Sequence, residues 1–132
     1  MKHVFLAIFA AAVMGSCSTM SSSKVGSSQV NIANTKWTLA EQVTGTTPTL
    51  NVDSNKITGN GGCNSYFGEL SLDPTAGNFV VKNVGATKMA CQNMEVEDNY
   101  FRMLNEATKY VVNGNTLELY KGNLLLLKFI KQ

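Results

Sequence analysis

Histidine is almost absent from this sequence, and the only one, His3, lies at the N-terminus. The rest of the chain has no imidazole for acid–base catalysis, for a Ser–His–Asp triad or for metal binding. Charged residues are also sparse, with 11 basic and 9 acidic side chains, and the basic ones form no stripe along the sequence. We therefore expect no nucleic-acid partner, no cofactor and no metal ion.

Long hydrophobic runs are absent as well. The longest, Val4 to Val13, is shorter than the roughly 20 residues that a membrane-spanning helix needs. A short apolar run between a basic residue and small residues is typical of a secretory signal peptide. The four residues that follow, Met14 to Cys17, resemble the lipobox of bacterial lipoproteins, in which the cysteine is acylated. The alternative is an ordinary secretory signal cut near Ser16, with Cys17 incidental.

These features divide the chain into three segments. Residues 1–16 are predicted to be a lipoprotein signal peptide, residues 17–29 a lipidated Cys17 with a serine-rich tether, and residues 30–132 a single domain. The tether has too little apolar surface to offset its ordering entropy, which predicts a flexible chain. Two or more acyl chains on Cys17 would hold the protein stably on a membrane. We expect a lipid-anchored protein of the cell envelope that faces the periplasm, in the outer membrane if the host is Gram-negative.

Cysteine is limited to three residues, and acylation of Cys17 would leave Cys63 and Cys91 as a pair. In an exported protein such a pair can form a structural disulfide, worth about 3.5 kcal/mol in the chain-entropy view. Two free buried thiols are an alternative. A redox-active pair is a third, although the Cys-x-x-Cys spacing that activates thiols is missing. Two cysteines without histidine do not predict a zinc site.

The domain alternates short strand-like segments with turn residues. One segment, Met94 to Thr108, instead has apolar residues at helical spacing, with Asn93 as a candidate cap. Five strands before this helix and three after it predict an α+β fold, a small antiparallel sheet or open barrel of about eight strands with one inserted amphipathic helix. The predicted strands are Lys36–Val43, Thr49–Val52, Lys56–Thr58, Tyr66–Leu72, Asn78–Val84, Lys109–Val112, Thr116–Tyr120 and Leu124–Lys131.

Two acidic patterns have a functional interpretation beside a structural one. Glu95, Glu97 and Asp98 are either a carboxylate cluster for acid–base chemistry or, as we favour, a solvated first helical turn that complements the helix dipole. The segment Asp53 to Asn55 begins like a calcium loop but lacks its later ligands, which indicates a turn.

A glycine-rich segment precedes Cys63 and fits neither the P-loop nor the dinucleotide fingerprint. Gly61 and Gly62 instead indicate a tight bend or bulge, because glycine adopts backbone angles closed to other residues. The short amide of Asn64 is expected to hydrogen-bond nearby backbone, and asparagine tolerates left-handed geometry.

Two stretches, Gly62 to Gly68 and Thr87 to Cys91, resemble the META domain, the family that includes the HslJ-type heat-inducible bacterial lipoproteins. The resemblance covers Thr35 to Ile130 and implies a compact antiparallel barrel-like sheet with an inserted helix. It also implies association with the envelope and, in some members, antibiotic tolerance, heat response or secretion-related virulence. No catalytic residue is established for the family. The motif and turn residues that we single out are Gly61, Gly62, Asn64, Gly68, Thr87 and Met89.

These observations predict a non-enzymatic, monomeric envelope lipoprotein. It would contact the membrane through its lipid anchor and bind either an envelope protein or a hydrophobic ligand in a cleft between sheet and helix. One alternative is a pilotin- or chaperone-like escort of a secreted or outer-membrane protein. Another is an enzyme that uses carboxylates or a thiol.

Overall fold

The structure is a computed structural model that describes residues 24–132. The predicted signal peptide, the lipidation site Cys17 and the first part of the predicted tether lie outside the described residues. The described part of the chain contains eight β-strands and one α-helix. In chain order these are β1 (Thr35–Leu39), β2 (Thr49–Val52), β3 (Lys56–Asn60), β4 (Ser65–Asp73), β5 (Asn78–Ala86), α1 (Met94–Glu106), β6 (Lys109–Asn113), β7 (Thr116–Lys121) and β8 (Leu124–Lys131).

The strands form a closed antiparallel barrel in the order of the sequence, and β8 returns to pair with β1. Thr38 lies opposite Ile130 at this closing pair of strands. The predicted fold class, an antiparallel α+β barrel with one inserted helix, is confirmed. The barrel is closed rather than open, because the first strand, β1, pairs with the last strand, β8. No helix within residues 24–132 is long and apolar enough to span a membrane.

Strands β5 and β6 overlap only at their first residues. Asn78 pairs with Lys109, and the Phe79 N–H donates to the Thr108 carbonyl at 3.0 Å. From this point the two antiparallel strands run apart. Helix α1 connects them and packs against β5 and β8. Most of the β5 edge that faces away from β4 therefore lies beside a helix and not beside a strand.

Alternating residues of the strands fill the barrel, as a period of two predicts. Leu117 and Leu119 are fully buried, while Glu118 between them is half-buried. The helix adds Tyr100 and Leu104 to this core. The largest fully buried side chains are Trp37, Tyr100, Tyr110, Phe79, Phe129, Leu50, Ile57, Leu104, Leu117, Leu119, Val52 and Pro48.

Several element boundaries differ from the predictions. Helix α1 starts at Met94 as predicted but ends at Glu106, because Ala107 is extended, with φ −62° and ψ 138°. Asn93 occupies the cap position, but its side chain makes no capping hydrogen bond. Strand β1 ends at Leu39, and residues 40–48 form a loop instead of continuing the strand to Val43.

The segment that precedes β1 contacts the barrel beside the turn between β4 and β5. The Gln29 N–H donates to the Pro74 carbonyl at 2.8 Å, and the Val112 N–H donates to the Gln29 side chain at 3.0 Å. The Tyr110 hydroxyl donates to the Val30 carbonyl at 2.7 Å. Hydrogen bonds to the barrel therefore begin at Gln29, inside the segment that the sequence assigns to the tether.

All four tyrosines resist ionisation in the folded protein. Burial raises the pKa of Tyr66, Tyr100 and Tyr110, and a hydrogen bond to Glu118 raises the pKa of Tyr120 to about 12. Because the folded chain holds these protons more tightly than the unfolded chain, their contribution to stability is intact below about pH 10 and is lost as the pH rises further.

We therefore predict that phenolate absorbance appears above pH 10 and rises together with loss of the far-UV circular dichroism of the barrel. The same chain in concentrated urea should titrate near pH 10, as free tyrosine does. A native protein whose tyrosines titrate like those of the urea-unfolded chain would contradict the prediction.

Candidate functional site

The two sequence motifs meet at one end of the barrel. The turn between β3 and β4 faces the segment between β5 and α1, residues 87–93, which we call the strap. A disulfide joins Cys63 in the turn to Cys91 in the strap, with a Cα–Cα distance of 6.0 Å and a sequence separation of 28. Of the alternatives for this pair, free thiols or a bridge, the structure contains the bridge. Cys63 is buried, and Cys91 is exposed.

Asn64 links the turn, the strap and the helix through its side chain, which is 2% exposed. Its Oδ1 accepts from the Thr87 hydroxyl at 2.9 Å and from the Met89 N–H at 2.7 Å. Its Nδ2 donates to the Met89 carbonyl at 3.0 Å and to Glu97 Oε1 at 2.7 Å. All four hydrogen-bonding positions of the amide are therefore used. The amide does bond nearby backbone as predicted, but Asn64 does not adopt the left-handed conformation that we considered for it.

Glu97 is not part of a solvated helical turn, and that prediction is wrong for this residue. Its side chain is 3% exposed, and Oε2 accepts from the backbone N–H groups of Cys63 at 2.9 Å and Asn64 at 2.6 Å. Three donors in total surround the carboxylate, which satisfies it without a cation. Glu95 and Asp98, its neighbours in the sequence, are exposed. The three acidic residues therefore do not converge as a catalytic cluster would.

A weak sequence signal could have placed Glu97 on the buried face of the helix. Glu97, Phe101 and Leu104 follow the spacing i, i+4, i+7, and such positions share one helix face. A buried carboxylate needs partners, and the nearest supply of free donors is a glycine-rich turn. Only the tertiary structure shows that this turn lies against the helix.

Each of the three motif glycines is favoured over other residues for a different physical reason. A Cβ on Gly61 would lie 2.6 Å from the Phe101 ring, so the turn and helix approach too closely for any side chain there. Gly62 has φ +121°, a conformation that residues with side chains rarely adopt. Gly68 lies at a bulge in the pairing of β4 with β5, where a Cβ would be 3.2 Å from Val84.

The cluster has little capacity for acid–base or metal chemistry. The Glu97 carboxylate and the Asn64 amide already have partners, and the Tyr66 and Tyr100 hydroxyls lie 2.7 Å apart and share the Thr49 carbonyl. Within the part of the chain that the structure describes, no three His, Cys, Asp or Glu side chains lie close enough to bind a metal ion. The arrangement instead holds turn, strap and helix in a fixed relation.

Two depressions lie on either side of α1. The first, which we call the loop cleft, has a volume of about 390 Å³ and lies between α1 and the loop 40–48. Its floor is apolar, and its rim is polar. The floor consists of Leu39, Val43, Val96, Tyr100, Met103 and Leu127, and the rim includes Glu41, Gln42, Thr44, Asn93, Glu95, Asn99 and Arg102.

The second depression, the strap groove, has a volume of about 470 Å³ and lies between α1, the end of β5 and the strap. Asn64 and Glu97 lie at its base. Its walls combine apolar side chains with one exposed charge of each sign. The walls consist of Val84, Gly85, Ala86, Thr87, Lys88, Met89, Met94, Asp98, Phe101 and Asn105.

Comparison with known proteins shows which family and which solved structures this domain is similar to. A family model of the META domain matches residues 30–132. An NMR structure of a protein from Burkholderia xenovorans is similar, with a TM-score of 0.61 and 24% identity over 76% of this chain and 83% of that one. A second NMR structure has a TM-score of 0.58 and 23% identity over 74% of this chain and 88% of its own. No curated protein matches the sequence. At these identities the two structures show a shared fold.

Proposed function

The chain belongs to the META domain family, and on that premise we propose that it is a non-enzymatic binding module of the cell envelope, anchored through a lipid on Cys17. The observation that supports binding most directly is the loop cleft. Its volume of about 390 Å³ falls within the range of small-molecule sites, and its apolar floor and polar rim are typical of them. The ligand class that fits this lining is an amphiphile.

The polar rim suggests how such a ligand would be oriented. Arg102 is the only arginine of the chain, and its one hydrogen bond within residues 24–132 is to Asn99, at 3.2 Å. Its guanidinium has further donors that remain for a ligand. The apolar body of the ligand would cover Met103 and Leu127, and its polar group would stay at the rim beside Arg102.

The motif cluster supports a binding role over catalysis. Its most buried polar groups, Asn64 and Glu97, are engaged with each other and with backbone, so they are not free to exchange protons with a substrate. The bridge between Cys63 and Cys91 leaves no free thiol among the described residues. Both observations fit a rigid scaffold that shapes the two depressions beside α1.

The cleft is tested by binding of the apolar dye N-phenyl-1-naphthylamine. We expect wild-type protein to bind it with enhanced fluorescence, and Met103→Glu to weaken binding at least about tenfold because it places a charge on the apolar floor. Leu124→Glu is the matched control, since Leu124 is 63% exposed and lines neither depression. Absence of dye binding to the wild-type protein, or equal losses in the two variants, would contradict the proposal.

The anchor is tested separately by Cys17→Ser. Without the acylated thiol, signal-peptide cleavage and membrane retention should both fail, and globomycin should block processing of the wild-type protein in the same way. Cell fractionation and mass spectrometry of the mature N-terminus report both. Normal maturation and retention of the variant would show that Cys17 is incidental.

A further inference from the structure

The strap groove adjoins a strand edge that has no strand partner. On its outer side β5 pairs with β6 at Asn78 only, so the edge near Ala86 faces α1 and the groove. The Thr87 N–H donates to the Ser65 carbonyl of β4 at 3.0 Å. Because backbone groups alternate in direction along an antiparallel strand, the N–H and C=O of Ala86 then point away from β4. Within residues 24–132, no hydrogen bond joins the Ala86 backbone to α1, the strap or β6.

We propose that the strap groove binds an extended peptide segment of another envelope protein, which adds to the edge of β5 as a further strand. In this mode main-chain hydrogen bonds to the Ala86 N–H and C=O anchor the peptide, and contacts to alternate side chains supply specificity. The site is distinct from the loop cleft, so the proposal does not depend on the amphiphile; it rests on the proposed function in taking its partner from the envelope.

The charges on the groove define the partner more closely. Lys88 lies on the strap wall and Asp98 on the helix wall, and both side chains are exposed. Neither takes part in an ion pair among the described residues. An extended segment that places an acidic residue beside Lys88 and a basic residue beside Asp98 complements both walls.

Apolar contacts are available for the remaining side chains of the peptide. Met89, Met94 and Phe101 contribute to the groove, and Met89 is 61% exposed. Methionine side chains adjust their shape readily, which suits a surface that accepts an apolar residue without a fixed pocket.

The groove is also held open before any peptide arrives. The disulfide and the bonds of Asn64 fix the strap, and Glu97 fixes the helix to the same turn. Pre-organisation lowers the entropy cost of binding. The groove lies at the Ser65 end of β4, about 25 Å from the turn at Pro74 where Gln29 joins the barrel. If the chain is anchored through Cys17, as proposed above, the tether joins the barrel at the end opposite the groove.

The test uses the protein purified from membranes in detergent, and an array of short synthetic peptides that tile the envelope proteins of the host. We expect a set of binding peptides that each carry both charge signs, confirmed by titration in solution.

Ala86→Pro removes the edge N–H, and it should weaken binding roughly tenfold. The same variant retains pairing with β4, because that N–H points away from β4. Lys88→Glu should give a loss of similar size that shrinks at high salt.

Two controls keep the result interpretable. Lys82→Glu changes an exposed charge on the same strand outside the groove and should leave binding unchanged. On the ligand side, N-methylation of alternate peptide residues should abolish binding in one register and spare it in the other, and this readout needs no variant to fold. Absence of binding peptides, binding that survives methylation in both registers, or equal losses with Lys82→Glu and Lys88→Glu would overturn the proposal.

Discussion

Replacing Asn64 by Ala is expected to lower the free energy of unfolding by about 4 kcal/mol. The substitution removes four side-chain hydrogen bonds and leaves the Glu97 carboxylate and both backbone groups of Met89 without that partner. A buried polar group that loses its partner costs about 1–3 kcal/mol, and partial access of water at the strap reduces the sum. Such a loss is a large share of the 5–15 kcal/mol typical of a small domain. Urea unfolding followed by circular dichroism measures it.

Glu97 variants separate this network from a simple loss of packing. Glu97→Gln keeps the shape, but if its oxygen still accepts from the turn, its amide nitrogen faces the Asn64 Nδ2, so we expect a loss of about 2 kcal/mol. Combining it with Asn64→Ala should cost less than the sum of the two single losses, because both act on the same bonds. Asn105→Ala, on an exposed part of the same helix, should change stability by less than about 0.5 kcal/mol. Additive losses would show that the two residues are not coupled.

Breaking the disulfide is expected to have the second-largest effect. With Cys63→Ala and Cys91→Ala together, the free energy of unfolding should fall by about 3.5 kcal/mol, because the unfolded chain regains the freedom that the closed loop denies it. Asn64 still holds the strap at Thr87 and Met89, so the barrel should remain folded in the absence of denaturant. Alanine is preferred to serine, since the Cys63 side chain is buried.

The wild-type protein supplies the control for this variant. Treatment with dithiothreitol should move its urea midpoint to that of the double variant and should leave the double variant unchanged. Thiol trapping in intact cells, followed by mass spectrometry, then shows whether the bridge exists in the cell. A reductant that has no effect on wild-type unfolding would contradict the assignment of this bridge as a stabilising element.

The effects expected from Asn64→Ala and from loss of the disulfide arise from the same group of contacts. The turn at Cys63 and Asn64 holds the strap through the disulfide and amide, and it holds the helix through Glu97. The helix in turn separates the loop cleft from the strap groove. The motif residues therefore fix the walls of the two proposed binding surfaces, and substitutions in the motif should alter both surfaces together.

Local patterns predicted most of the secondary structure. Strands β6 and β7 match their predicted segments to within one residue at each end, and Gly114 in the turn between them accepts the left-handed angle observed there, φ +60°. Within β7 the buried Leu117 and Leu119 alternate with Glu118, which follows the period of two expected for a strand. Boundaries were less exact, since β1 stops at Leu39 although the residues beyond it still resemble a strand.

The candidate site was predicted only in part. The motif residues around Asn64 and Thr87 were identified, but their partners were not. Glu97 was assigned to solvent because its charge and its place near a helix start are equally typical of an exposed turn. Its burial depends on two N–H groups that lie 34 and 33 positions away in the sequence. No local pattern specifies contacts at that separation.

The sequence by itself therefore determined what depends on short-range spacing: the strands, the single helix, the glycine turns, the cysteine pair and the scarcity of catalytic side chains. The tertiary structure decided the closure of the barrel, the burial of Glu97 and the free edge of β5. Each of these depends on which distant backbone groups meet. Hydrogen bonds between such groups form only when the whole barrel packs, because burial makes an unpaired polar group costly and so selects its partner.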